Sequence, residues 1–260
     1  MLGAIAGDVI GSVHEAAATK TKHFPLFMPD SCFTDDTVLT AAVAEVLLTG
    51  GNYTRMFHRY FRAYPDAGYG GQFKLWCELR QTEPYNSWGN GSAMRVSPIG
   101  WAFDRLEDVL AEAERSAAVT HNHPEGIRGA KAVAAAVHLA RQRPEKSEIA
   151  EFVQREFAYQ LDVPLKAVRR TFLFDVSCAG TVPWALRAFL EADGYEDAIR
   201  NAISLGGDAD TLACIAGAVA GAYYGVPPNI TAETLARLDD QLRDVVARFA
   251  EKFGNRKTMA

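Results

Sequence analysis

The sequence predicts an all-α fold, a single compact domain of many short helices over residues 1–260. Three observations predict it. Apolar residues recur three and four positions apart in one segment after another, and no stretch of five or more residues alternates as a half-buried strand does. Glycine, proline and capping residues break these segments often, so each helix is short. The composition, 48% hydrophobic and 23% charged, suits a chain that buries a substantial core.

Residues 2–13 read as a helix whose glycines, Gly3, Gly7 and Gly11, fall every fourth position along one face. Each glycine costs a helix about 1 kcal/mol relative to alanine, so the stripe predicts close approach of another backbone. The alternative is that some of them simply fray a terminal helix. After a loop with Pro25 and Pro29, the next helix spans 37–48 and is closed by Gly50-Gly51. An aromatic helix with Met56, Tyr60 and Phe61 ends near Pro65, and Gly68-Tyr69-Gly70-Gly71 turns into a helix over 73–79. The loop 84–92 leads to a helix from about Ala93 that Pro98 and Gly100 disturb. Further helices are expected at 106–119, 126–141, 147–157 with Ser147 as its cap, 163–172, 183–191 with Pro183 in the first turn, and 196–205. The helix over 212–224 carries Gly217 and Gly221, and Gly225 continues the spacing; this second small-residue face is predicted to pack against the first. Thr231 is read as the cap of one long terminal helix with Leu235, Leu238, Leu242, Val246, Phe249 and Phe253.

A net charge of -5 gives no general electrostatic reason to expect a nucleic-acid backbone as partner, although a local basic pocket or a modified base stays open. The apolar opening residues 1–13 carry Asp8, lack a basic leader region and stop short of a membrane span, so neither a signal peptide nor a transmembrane helix is read there. Cys32, Cys77, Cys178 and Cys214 form no CxxC pair, which predicts reduced thiols in a cytoplasm.

The chemistry concentrates in two acidic turns. Gly206-Gly207-Asp208-Ala209-Asp210-Thr211 opens one apolar helix, and Thr34-Asp35-Asp36-Thr37 opens another. Either cluster alone could be a helix cap, because Thr and Asp accept from free N–H groups. Two of them, flanked by apolar residues, would bring up to four carboxylates out of water, where they repel or take up protons unless a cation compensates. All-oxygen donors suit one or two magnesium or manganese ions, whereas zinc would prefer the histidine and cysteine these turns lack. Glu15 could add a further carboxylate. The expectation is that the two turns meet in space around a metal centre.

Two loops add candidates. The stretch 84–92 can bring backbone N–H groups and Ser92 to a phosphate at a helix N-terminus, or can be a plain connector with Ser92 as cap. His121 and His123 beside Pro124 lack a third ligand for zinc, so a histidine bonding to substrate or backbone is expected there. His14, His23, His58 and His138 read as structural or surface residues.

Gly3-x3-Gly7-Asp8-x2-Gly11 with Glu15, Thr34-Asp35-Asp36-Thr37, Gly89-Asn90-Gly91-Ser92-Ala93-Met94-Arg95, Thr120-His121, and Gly206 to Thr211 with Gly217 together resemble, in order, the ADP-ribosylglycohydrolase family. That family is typified by the glycohydrolase that reactivates dinitrogenase reductase. The resemblance implies an all-α fold with two Mg²⁺ or Mn²⁺ at the bottom of a cleft. It assigns Thr34, Asp35, Asp36, Asp208, Asp210 and Thr211 as ligands, with Glu15 approaching them. It puts the turn of Gly89, Asn90, Gly91 and Ser92 on a diphosphate and His121 near the distal ribose and phosphates. Beyond the motif, Trp88 or Tyr85 is a candidate to stack on a ring.

Cleaving the anomeric bond of ADP-ribose creates oxocarbenium character, so a site must orient the ribose, supply water and protonate the leaving group. Asp36 or Glu15 is the candidate base. The partner implied is an ADP-ribosylated protein, arginine first and serine next, or another ADP-ribosyl conjugate. A noncatalytic ADP-ribose or nucleotide reader that keeps the metal, or a hydrolase of another ribosylated metabolite, are the competing readings.

Overall fold

The structure is a computed structural model and describes residues 1–254. In chain order its helices are α1 (Leu2–Gly11), α2 (Asp35–Thr49), α3 (Tyr53–Ala63), α4 (Gly71–Glu78), α5 (Gly91–Met94), α6 (Ile99–Ala102), α7 (Leu106–Ala118), α8 (Pro124–Ala140), α9 (Lys146–Phe157), α10 (Leu165–Val168), α11 (Cys178–Leu190), α12 (Tyr195–Ile203), α13 (Ala209–Tyr223), α14 (Pro228–Ala236) and α15 (Asp240–Phe253). No sheet forms among the described residues; one isolated antiparallel bridge pairs Gly89 with Ser177. Nor is any helix among them long and apolar enough to cross a membrane.

The fold is built on α1 and α13, which run against each other along most of their length. Both are apolar nearly all round, as helices enclosed by protein must be. Their glycines let main chain meet main chain. A Cβ at Gly3 would lie 2.3 Å from the Gly217 carbonyl oxygen, and one at Gly7 would lie 2.1 Å from that of Ala213. Tyr195 of α12 donates to the Gly3 carbonyl at 2.7 Å and pins the pair from the side. Around this axis α11 and α12 pack on α13, α8 packs on α11 and α13, and α2 bridges α1 to α3 and α15.

Several boundaries differ from the sequence reading. Gly225 lies beyond the end of α13 with φ +81 and open space where a Cβ would be, so it turns the chain instead of extending the packed face. The terminal helix is two: α14 ends at Ala236, and Asp239 accepts from the Leu242 N–H to start α15. α9 starts at Lys146 through reciprocal capping by Glu145 and Glu148, which leaves Ser147 inside the first turn. Ser177 accepts from the Gly180 N–H and starts α11 at Cys178, so Pro183 falls in the second turn. Over 163–172 only the short α10 forms, and Pro98 separates α5 from α6.

Candidate active site

Thr34 caps α2, accepting from the Asp36 N–H, so Asp35 and Asp36 occupy the helix's first turn and not the turn before it. On the other side Gly206 and Gly207, at φ +69 and +74, reverse the chain between α12 and α13. Two successive left-handed residues are a conformation only glycine adopts without strain. Asp208 then stands at the N-cap, with Asp210 and Thr211 in the first turn of α13. The approach of α1 to α13 brings the two helix starts together: Thr211 Oγ1 donates to Asp36 Oδ2 at 3.3 Å across 175 residues of sequence.

A buried carboxylate not singled out as a site residue organises the early turn. Asp8 of α1 accepts from the Thr34 N–H at 3.0 Å, the Thr34 hydroxyl at 2.7 Å, the Thr37 N–H at 3.1 Å and the Thr37 hydroxyl. Its signal in the sequence is a charge in the middle of a glycine-striped apolar helix, a position that makes sense only for a fully hydrogen-bonded group.

Carboxylate oxygens of Asp8, Asp36 and Asp210 lie within 4.8 Å of one another, and so do those of Glu15, Asp208 and Asp210. Burial first, then the neighbouring acids Asp8 and Asp208, pushes the Asp35 carboxyl up to about 8. Burial with Asp8 and Asp210 raises Asp36, and burial with Asp208 raises Asp210. Glu15, exposed at the rim, is raised by partial burial and by Asp208. Asp36 Oδ1 is buried with no hydrogen-bond partner. Clustered anions and an orphaned oxygen fit a cation of oxygen preference, and these groups could hold a metal ion.

Glu15, Asp35, Asp36, Asp208 and Asp210 line a cavity of about 490 Å³, while Asp8 is fully buried outside its lining. The same cavity is lined by Tyr85, Gly89, Asn90, Gly91, Arg95 and His121. Asn90 reaches across: its side-chain amide donates to Asp208 Oδ2 at 2.7 Å and to the Thr181 hydroxyl at 3.0 Å, so it steadies the late turn as well as lining the cavity. Ser92 is 1% exposed and its hydroxyl donates to the Gly126 carbonyl at 2.7 Å, which leaves its side chain committed to helix packing and away from the cavity. Trp88 is 51% exposed and stands outside the cavity lining, whereas Tyr85 lies within it, 5.9 Å from the His121 ring. His121 is buried, and burial together with Arg95 holds it well below the usual imidazole range. His123 instead caps α8, accepting from the Glu125 N–H.

A family profile described as ADP-ribosylglycohydrolase matches residues 1–259. The chain belongs to the ADP-ribosylglycohydrolase family. The chain is 30% identical to human ADP-ribosylhydrolase ARH3, over 87% of this chain and 84% of the relative. It is 26% identical to an ADP-ribosylarginine hydrolase of Pseudomonas putida (strain GB-1), over 88% of this chain and 71% of that protein. A solved structure titled ADP-ribosylglycohydrolase-related protein complex shares the fold, with TM-score 0.68 and 24% identity over 99% of this chain and 97% of the other. The glycohydrolase is accordingly a hydrolase of the glycosidic bond between ADP-ribose and an acceptor, and it releases ADP-ribose.

Proposed function

We propose that the cavity removes ADP-ribose from an arginine side chain of a modified protein, with two magnesium or manganese ions held between the early and late acidic turns. The observation that carries this reading is the hydrogen bond from Thr211 to Asp36, which joins the two turns at the base of the cavity. Thr34, Asp35, Asp36, Asp208, Asp210 and Thr211 would hold the ions. Bound there, the ions would supply positive charge that fixes the ribose hydroxyls and offsets the carboxylates.

The chain's own groups do the rest. The Thr34 hydroxyl gives its proton to Asp8, and the Thr211 hydroxyl gives its proton to Asp36, so each keeps oxygen lone pairs for a cation. The Gly89 to Gly91 turn receives the diphosphate through the Gly91 N–H, since the Gly89 and Asn90 N–H groups already donate to Ser87 Oγ and the Val176 carbonyl, and Tyr85 lies against a ring. Glu15 is better placed than Asp36 as base: it stands at the exposed rim, while Asp36 is 2% exposed and engaged by Thr211. Glu15 takes a proton from the attacking water as the anomeric bond breaks and returns it to the departing guanidine. The arginine acceptor is favoured by the similarity to an ADP-ribosylarginine hydrolase.

We read the chain as one domain, since buried apolar side chains from Met1 to Phe253 form one continuous cluster. Its four free cysteines suit a reducing cytoplasm. The test is hydrolysis of proteins ADP-ribosylated on arginine or on serine, with Mg²⁺ or Mn²⁺, followed by mass spectrometry. Release from arginine, abolished by EDTA and reduced about a hundredfold or more by Asp36→Asn or Asp210→Asn, is the expected result. Wild-type rates in both variants would overturn the metal reading, and release from serine alone would overturn the acceptor.

A further inference from the structure

Arg95 is fully buried, yet no carboxylate pairs with it among the described residues. A guanidinium withdrawn from water without a counter-ion is costly and calls for a compensating role. Its plane lies over the Phe57 ring at 4.3 Å from the centroid, and Nη2 donates to the Ser116 carbonyl at 3.0 Å and to Thr120 Oγ1 at 2.8 Å. Nε and Nη1 are buried without partners. Although Arg95 borders the cavity, its hydrogen-bonded nitrogen, Nη2, is turned to Ser116 and Thr120. The neighbour it grips, Thr120 Oγ1, lies 2.8 Å from His121 Nδ1.

We infer that Arg95 and Thr120 form a hydrogen-bond relay that holds His121 in the tautomer protonated on Nε2, so that this N–H faces the Gly89 to Gly91 turn as a donor to a substrate oxygen. An arginine donates and never accepts, so the Thr120 oxygen is the acceptor in the first link. Thr120 is fully buried, so its hydroxyl proton needs an acceptor; of its hydrogen-bond partners Arg95 cannot accept, so the proton goes to His121 Nδ1, and donation from Arg95 strengthens it. Nδ1 as acceptor leaves the imidazole proton on Nε2. The nearby fixed positive charge of Arg95 and the burial of the ring both oppose an imidazolium.

The direction of the donor follows from the glycines. A Cβ at Gly91 would lie 3.1 Å from His121 Nε2 and one at Gly89 would lie 3.7 Å away, so Nε2 looks onto the turn. The ligand class is an anionic or hydroxyl oxygen of ADP-ribose, which rests on the proposed use of that turn for the diphosphate. Arg95 and Thr120 act through His121 and are positioning residues, and His121 is a donor to substrate and not a base.

The relay is tested without turnover. Long-range ¹H–¹⁵N NMR of the metal-free, labelled full chain at neutral pH should show a pyrrole-like Nε2 and a pyridine-like Nδ1 for His121. The opposite tautomer, or a doubly protonated ring, would overturn the inference. Thr120→Val should give a mixture of tautomers and about tenfold weaker ADP-ribose binding by calorimetry in the presence of Mg²⁺, and Thr120→Ser should restore both. A valine variant that keeps the tautomer and the affinity would overturn it too. These readouts are independent of hydrolysis, so an inactive protein with the stated tautomer and ADP-ribose affinity would refute the hydrolytic mechanism and support the relay.

Discussion

Replacing Gly7 with alanine adds a single methyl, but adds it where no side chain can move aside. The new Cβ would sit 2.1 Å from the Ala213 carbonyl oxygen, 2.5 Å from its carbon and 2.8 Å from the Cys214 nitrogen, all main-chain atoms of α13. Ordinary contact requires α1 and α13 to separate by about 1.3 Å there. Overpacking of a rigid core costs about 1–3 kcal/mol, with a backbone-to-backbone clash at the upper end, and the dispersion lost along the opened face adds to it. Alanine's better helix propensity returns about 1 kcal/mol. The expected net loss is about 2–3 kcal/mol, read as a lower urea midpoint at unchanged m-value. Gly71→Ala is the control: its Cβ meets open space in the first turn of α4, so the change should be neutral or stabilising by up to about 1 kcal/mol. Gly7→Ala within about 0.5 kcal/mol of wild type would refute the claim that this contact has no slack.

The remaining predictions concern the acids. Asp35 has a pKa raised from 3.8 to about 8 in the metal-free fold, so its contribution to stability is complete at acid pH and is lost as pH rises through about 8. Thermal melts of metal-free protein should therefore fall more between pH 5 and 8 for wild type than for Asp35→Asn, and equal slopes would refute this. Added Mg²⁺ should raise the wild-type melting temperature more at pH 8 than at pH 5; calorimetry showing the reverse would count against charge compensation. Asp8→Asn removes an acceptor of hydrogen bonds from Thr34 and Thr37 and should destabilise the fold by about 2 kcal/mol in urea titrations, weakening Mn²⁺ binding as well. Asn90→Ala releases Asp208 and should weaken Mn²⁺ binding by about tenfold in calorimetric titrations, whereas unchanged affinity would show that the amide does not steady the turn.

Periodicity exposes what depends on one helix at a time, and so the main helices and the α1–α13 glycine contact were legible in the sequence. The acidic turns were legible because two carboxylates beside a hydroxyl at an apolar helix start form a local pattern. Features that depend on partners across the fold were not. Asp8 is one carboxylate among apolar neighbours, and only the fold shows its donors on α2. Ser92 reads equally well as a phosphate donor, and the Gly126 carbonyl that takes its proton comes from a helix 34 residues away. Trp88 has the chemistry to stack on a ring, but the bridge between Gly89 and Ser177 fixes the strand-like course of the loop that leaves it outside the cavity. The break between α14 and α15 was hidden because apolar spacing continues across it, while the capping signal at Asp239 is a single residue.

The hydrogen bond joining Asp36 to Thr211 spans 175 positions, which has a consequence during synthesis. Closing so long a loop carries an entropic penalty, and chains dominated by such distant pairings fold slowly. A ribosome-bound chain that has not yet delivered Thr211 has the early acidic turn and nothing to close against it. The pairing of the two turns, with any cation it would hold, is thus a late event in the life of the nascent polypeptide, and no early fragment contains both turns.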